Sequence, residues 1–300
     1  MAFGSEGELT PVRYVGLAKK RFGQHFLRAG EVLQRIADAA EICEKDSVLE
    51  IGAGLGDLTL CLAGRAKEVI ALELDRRLLE ILEQRLRAAS NIRIMHEDAL
   101  RFPLPEGLRK MGRPRKVVAN LPYNVGTRIL MRLAAYPSEI DLMALMFQKE
   151  VAERITARVG GKAYGSLSVL LALHWDSCMV FKVPSGAFRP SPKVESALVV
   201  LTPLERARAD VGDPGIFQTL VRAAFSQRRK TLLNALQGWL GGEKNRVARL
   251  LHWADIQPGR RAETLSLEEF ARLGRAASTL WQKGFEIGLD EAPHAQDQNT

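Results

Sequence analysis

The chain is poor in cysteine and aromatic residues, and it has no long apolar run. Cys43, Cys61 and Cys178 are odd in number, scattered and mostly in apolar settings. Such a set excludes a disulfide framework and a zinc knuckle and points to reduced thiols. No stretch approaches the ~20 apolar residues of a membrane span. The first residues, Met1 to Pro11, are polar and carry Glu6 and Glu8, unlike a secretory or transit peptide. A cytoplasmic protein is therefore expected. Internal repeats and low-complexity blocks are also missing, as are the side-chain spacings of a metal cage or a nucleophilic triad.

What remains is a basic α/β sequence. Its 300 residues suit one large domain with a smaller one, and 46% hydrophobic with 26% charged residues is ordinary for a globular protein. A formal charge of +8 and a pI near 9.6 favour a polyanionic partner, most simply nucleic acid. A solvated Lys/Arg surface would produce the same excess. Basic clusters at Lys19–Lys20–Arg21, across Arg109 to Lys116 and at Arg228–Arg229–Lys230 have no acidic partners nearby in sequence. They are read together as a phosphate-tracking surface.

From Gly30 onward, helical and strand periods alternate. Strands are expected at Ser47–Ile51, Glu68–Leu74, Asn91–His96, Val117–Ala119 and Asp141–Phe147. Helices are expected at Glu31–Ile42, from Asp57 to Ala63, and at Arg76–Ala88, Thr127–Ala135 and Lys149–Arg158. Such alternation implies a parallel sheet covered on both faces. Leu167–Trp175, Met179–Val183 and Ser196–Leu201 read as further strands that finish the sheet in antiparallel fashion. Leu204 to Pro214 reads as a linker, and only helical periods follow it. The expected organisation is a flexible segment 1–18, a catalytic domain 19–204, an α-helical domain 205–285 and a disordered tail 286–300.

Chemistry concentrates at the carboxyl ends of the first four strands. Glu50–Ile51–Gly52–Ala53–Gly54–Leu55–Gly56 closes the first strand. Its glycines let backbone approach a ligand, and the following helix start supplies N–H groups; a tight turn alone would also satisfy the pattern. The spacing differs from the dinucleotide fingerprint. Glu73 ends the second strand, where a carboxylate can accept both hydroxyl hydrogens of a ribose. Asp98 follows the third and can accept from an adenine amino group or cap a helix. Asn120–Leu121–Pro122–Tyr123 follows the fourth. The Asn120 side-chain oxygen and the Pro122 carbonyl can accept from an exocyclic amine, and the Tyr123 ring can stack on a base. This order describes S-adenosylmethionine lying along the carboxyl edge of a sheet.

With those residues in place, the chain closely resembles the ribosomal RNA adenine N6,N6-dimethyltransferase family, in particular its bacterial small-subunit branch. The resemblance runs through Lys19 to Leu27, Glu50 to Gly56, Glu73, Asp98, Asn120 to Asn124, Phe147 to Glu150, Phe188 to Ser196 and Phe225 to Lys230. His25 stands where many relatives carry Asn, and Ala53 where many carry Pro; contacts there are expected to be largely through backbone.

The resemblance implies a Rossmann-like methyltransferase sheet with a small all-α C-terminal domain. It implies cofactor contacts from His25, Leu27, Gly52, Glu73, Asp98 and Asn120, and a target base held by Asn120, Pro122, Tyr123 and Phe188. Phe188 is equally compatible with a core position before a proline-rich turn. The implied substrate is a pair of adjacent adenosines in the hairpin loop near the 3′ end of small-subunit rRNA. Each would be dimethylated in an immature small ribosomal subunit by a monomer without metal or membrane partner. Gly126 and Thr127 are expected to leave room for the first methyl group. Other rRNA enzymes, a DNA adenine methyltransferase and a non-catalytic RNA-binding assembly factor are the competing functions.

Overall fold

The computed structural model describes residues 24–282. The expected N-terminal segment 1–18, the Lys19–Lys20–Arg21 cluster and the tail 286–300 lie outside the described residues.

Residues 24–156, together with 175–205, form one compact unit. Its centre is a set of parallel strands: β2 (Ser47–Ile51), β3 (Glu68–Glu73), β4 (Ile92–His96), β5 (Arg115–Asn120) and β6 (Leu142–Gln148). Antiparallel β9 (Ser196–Pro203) joins β6, and β7 (Trp175–Val183) pairs with β9, giving the order β4-β3-β2-β5-β6-β9-β7. β2 is buried along its whole length, as expected of a parallel strand covered on both faces. Two residues of β1 (Phe26–Leu27) pair antiparallel with β8 (Phe188–Arg189) in a separate ribbon.

Helices α1 (Gly30–Ala39), α2 (Asp57–Ala63), α3 (Arg76–Leu86), α4 (Leu104–Arg109), α5 (Gly126–Ala134) and α6 (Lys149–Ile155) complete this unit. In α3, Leu78, Leu82 and Leu86 recur every fourth residue and are the buried face. Asp75 caps that helix by accepting from the Arg77 N–H at 3.2 Å. The α4 segment has no strong apolar period and was not expected as a helix. Among the described residues, no helix is long and apolar enough to cross a membrane.

Residues 157–174 and 206–282 form the second unit. It contains α7 (Ser166–Ala172), α8 (Pro214–Ser226), α9 (Leu232–Ala235), α10 (Lys244–Trp253) and α11 (Leu267–Gln282). Asp213 caps α8, accepting from Ile216 N–H at 2.8 Å, with Pro214 in the first turn. Phe217, Leu220, Leu250, Phe270 and Leu273 are fully buried in its core. Gly274 is required for packing: a Cβ there would sit 2.6 Å from the Val211 carbonyl oxygen.

Two expectations change. Leu167–Trp175, read as a strand, is mainly helix α7, with the Gly165 N–H donating to Ser168 Oγ at 3.2 Å where it begins. A short continuous apolar run carries no period that separates strand from buried helix. The domain boundary also differs from a single break at 204/205. Tyr164, Val169 and Leu173 belong to the helical core, so the segment around them packs with the second unit.

Candidate active site

In the sheet order, β2 lies between β3 and β5. Connections from this point leave toward opposite sides, so the loops after β2 and β5 diverge and open a crevice at the carboxyl edge. A cavity of about 230 Å³ occupies it, lined by Leu27, Gly52, Glu73, Asp98, Asn120 and Tyr123 among others. His25 and Pro122 also line it. Strand-end residues far apart in sequence therefore meet in one place.

Gly52, Gly54 and Gly56 have φ values of 78°, 60° and 84°, conformations that suit a residue without Cβ. Their N–H groups are engaged within the loop and with β3. Gly52 and Ala53 donate to the Leu72 carbonyl at 2.8 and 3.1 Å, Gly54 to Glu73 Oε2 at 2.8 Å and Gly56 to the Ala53 carbonyl at 2.9 Å. The glycines thus contribute a close backbone wall, with their own N–H groups already engaged.

Glu73 is 6% exposed. Besides Gly54, it accepts from Asp75 N–H at 2.8 Å through Oε1. Burial pushes its carboxyl above the usual carboxylate range, while the N–H groups of Asp75, Gly54 and Leu74 oppose that shift. A carboxylate offers about four acceptor sites, so acceptor capacity remains for a hydroxyl donor. Asp98 accepts from Leu100 N–H at 2.9 Å through one oxygen, forming a turn; it does not cap an α-helix.

Asn120 is held by the segment before β1. Its Nδ2 donates to the His25 backbone carbonyl at 2.9 Å. A carbonyl can face only the nitrogen of the amide, so Oδ1 is left as the acceptor. The His25 ring donates through Nδ1 to the Pro190 carbonyl at 2.8 Å and stacks on Tyr123 with centroids 5.2 Å apart and planes at 29°. The Tyr123 hydroxyl is 2.5 Å from Ser196 Oγ. Burial raises its pKa, with the Ser196 bond opposing, so the phenol stays neutral at neutral pH.

Pro122 departs from its expected role. Its carbonyl accepts from Val125 N–H at 3.2 Å and Gly126 N–H at 2.9 Å, capping the start of α5. Both lone pairs of that oxygen are engaged. Leu121, which lines the same cavity, supplies the neighbouring peptide oxygen, and that oxygen accepts no turn, loop or cap hydrogen bond from another backbone group among the described residues. The motif was legible; which carbonyl it frees depends on the turn geometry.

Phe188 is not brought to the cavity. It is fully buried in a cluster with Val183, Ala187 and Leu198. In β8, Phe188 points inward and Arg189 outward, and Phe188 pairs with Leu27 across the ribbon. In this structure it is a core residue packed beside β1 and does not line the cavity. The cluster from Arg109 to Lys116 is also revised. Arg109 and Arg115 pair with Glu139, Arg113 with Asp141 and Lys116 with Asp46. Those acids are remote in sequence, which is why the stretch resembled an uncompensated patch. Arg228 likewise pairs with Glu263.

One lining residue was quoted only as part of the glycine loop. Glu50 is 1% exposed in β2, and its Oε2 has no hydrogen-bond partner. The signal was a carboxylate within the otherwise apolar strand Val48–Leu49–Glu50–Ile51.

Comparison with known proteins agrees with this geometry. The relatives include "Ribosomal RNA small subunit methyltransferase A" of Geobacter metallireducens, 44% identical over 89% of this chain and 98% of the relative. The Moorella thermoacetica protein of the same name is 46% identical over 89% of this chain and 95% of its own length. Among solved structures, a dimethyladenosine transferase from Plasmodium falciparum matches with a TM-score of 0.70 and 28% identity, covering 83% of this chain and 96% of that one. The 23S rRNA methyltransferase ErmE matches with a TM-score of 0.61 and 26% identity, covering 84% and 99%. The family model described as "Ribosomal RNA adenine dimethylase" spans residues 16–276. With its strand-end residues gathered around one cavity and its sequence matched along nearly the whole length, the chain belongs to the ribosomal RNA adenine dimethylase family.

Proposed function

We propose that this chain uses S-adenosylmethionine to dimethylate N6 of two adjacent adenosines in the 3′-terminal hairpin loop of small-subunit rRNA. It would act as a cytoplasmic monomer on an immature small subunit. The observation that carries the site is the orientation of Asn120, whose amide nitrogen is committed to the His25 carbonyl.

The residues present fit the cofactor. Glu73 keeps acceptor capacity beyond its backbone donors and suits a ribose hydroxyl, Asp98 suits an adenine amine, and Gly52 gives a wall without a side chain. Leu27 and the His25 backbone close the cavity from the β1 side. When bound, the cofactor supplies a methyl group made electrophilic by its sulfonium.

The chain's own task is to present the target nitrogen. An adenine N6 lone pair is delocalised into the ring, so the amine is a weak nucleophile. Asn120 Oδ1 and the Leu121 carbonyl, in place of that of Pro122, would accept its two hydrogens. Those bonds favour a pyramidal nitrogen whose lone pair points at the donor. Positioning of this kind can supply a large part of a rate enhancement. No base is needed beforehand, because the methylated nitrogen is acidic and sheds its proton afterwards. Tyr123, braced by Ser196 and His25, would stack on the extruded base for ~1–3 kcal/mol. Bases in a loop are cheaper to extrude than bases in a duplex.

Incubation with radiolabelled S-adenosylmethionine and unmethylated small subunits, followed by nucleoside analysis, tests the reading. N6,N6-dimethyladenosine in small-subunit RNA is expected. Label confined to large-subunit RNA or to duplex DNA would overturn it.

A further inference from the structure

We infer that the side-chain amide of Gln148 donates a hydrogen bond to a ring nitrogen of the target adenine, beside the amine that is methylated. This rests on the proposed adenosine substrate and adds a base-reading residue to the same site.

Gln148 is the last residue of β6, and the six before it are buried. Met146 pairs with Asn120 in the parallel β5–β6 register. Gln148, two residues on, therefore projects from the same face of the sheet as Asn120. It lines a hollow of about 10 Å³ together with Leu121, Pro122 and Tyr123. Those three residues also border the main cavity, so the amide stands beside the ring assigned to the base. Its backbone is pinned on both sides. Gln148 pairs with Ser196, whose Oγ lies 2.5 Å from the Tyr123 hydroxyl. The Lys149 N–H donates to the Glu195 carbonyl at 2.9 Å, and Lys149 Nζ is 3.0 Å from Glu195 Oε2.

The side chain has no local task. Gln148 stands just before α6, where Ser, Thr, Asp or Asn would cap the helix, and it makes no capping bond. Its amide has no hydrogen-bond partner among the described residues, and its polar atoms are not sealed from solvent.

Adenine supplies the missing partner. Asn120 Oδ1 and the Leu121 carbonyl are acceptors and engage only the exocyclic amine. The ring nitrogens on either side of that amine, N1 and N7, are themselves acceptors. A base drawn into a protein pocket is read by hydrogen bonds to its edge, and those nitrogens need a donor. The Tyr123 hydroxyl is committed to Ser196. Around the hollow this leaves two N–H donors on Gln148 and one O–H on Thr127. Gln148 ends a strand next to that of Asn120, whereas Thr127 lies in the first turn of α5.

Small subunits reconstituted with 1-deazaadenosine or 7-deazaadenosine at the target positions remove the two ring acceptors one at a time. With the wild-type enzyme, one replacement should lower kcat/KM about three- to tenfold, the size of one neutral hydrogen bond. Gln148→Ala should lose a similar factor on natural subunits and nothing further on that analogue, whereas Thr127→Val should still lose it. Calorimetry with S-adenosylhomocysteine should show unchanged cofactor affinity in Gln148→Ala, which a general loss of site structure would not allow. Insensitivity of the wild-type enzyme to both analogues would overturn the inference without any variant. So would losses that multiply in Gln148→Ala with both analogues. Wild-type enzyme that leaves natural small subunits unmethylated would overturn the proposed function, and this inference with it.

Discussion

Asn120 Nδ2 donates to the backbone oxygen of His25 at 2.9 Å, joining positions 95 residues apart. The bond makes the amide a one-sided acceptor at the end of β5. It also ties the Asn120 side of the cavity to the segment leading into β1, so order in one supports order in the other.

Asn120→Ala should lower kcat by about 10²–10³, the range for removing one preorganised polar contact to a reacting group. Cofactor affinity should fall less. Asn120→Asp should be worse than Ala for cofactor binding, because its carboxylate would face the His25 carbonyl without a donor between them. Titration calorimetry and single-turnover methylation separate the two effects; wild-type turnover in Asn120→Ala would remove this residue from the mechanism.

Tyr123 and Phe188 should separate cleanly. Tyr123→Ala should leave folding nearly intact and weaken substrate engagement by ~1–3 kcal/mol, with Tyr123→Phe keeping most of the stacking. Phe188→Ala should cost about 3–5 kcal/mol of stability, with activity per folded molecule less affected. Denaturant melts beside activity measurements check the contrast. A stable but inactive Phe188→Ala would return that ring to the base pocket.

Gly126 begins α5, and a Cβ there would meet Leu121 Cβ at 3.4 Å and Phe147 Cδ1 at 3.5 Å. A hollow of about 10 Å³ beside it is lined by Tyr123, Gly126 and Thr127 among others. Gly126→Val should fold and shift product from dimethyladenosine toward monomethyladenosine, read by nucleoside chromatography. An unchanged ratio would show that the first methyl group is accommodated elsewhere.

The empty protein should lose stability as pH rises from about 4.5 to about 8 through Glu50. In the unfolded chain this carboxyl releases its proton near the lower value; in the fold it keeps it to the upper one. Between them the folded form binds more protons, and linkage makes stability fall with pH. Other carboxylates contribute their own slopes, so the difference between wild type and Glu50→Gln is the informative quantity. That difference in melting temperature should grow in favour of the variant across the interval and stay flat above it.

Arg113 is paired with Asp141 at 2.8 Å and should contribute little to RNA binding. Overall affinity should weaken steeply with salt. Arg113→Gln should leave the slope of log K against log salt unchanged within about 0.3, since loss of one phosphate contact would change it by about 0.7–0.9. A change of that larger size would restore the stretch from Arg109 to Lys116 to the RNA-binding surface.

The one-dimensional pattern determined the alternation of β2, α2, β3 and α3, because apolar spacing and flanking glycine or aspartate act within a few residues. It also determined the order of Gly52, Glu73, Asp98 and Asn120 along successive strand ends, and with it the family. Tertiary structure decided matters that depend on partners distant in the chain. Leu167 to Ala172 is helical because it packs into the helical core, and a short apolar run is silent about that choice. Pro122 surrenders its carbonyl to the start of α5, Phe188 turns into the core, and Arg109 to Lys116 find their acids at Asp46, Glu139 and Asp141. Hydrogen bonds and ion pairs act over a few ångströms of space, and folding sets those distances independently of separation along the chain.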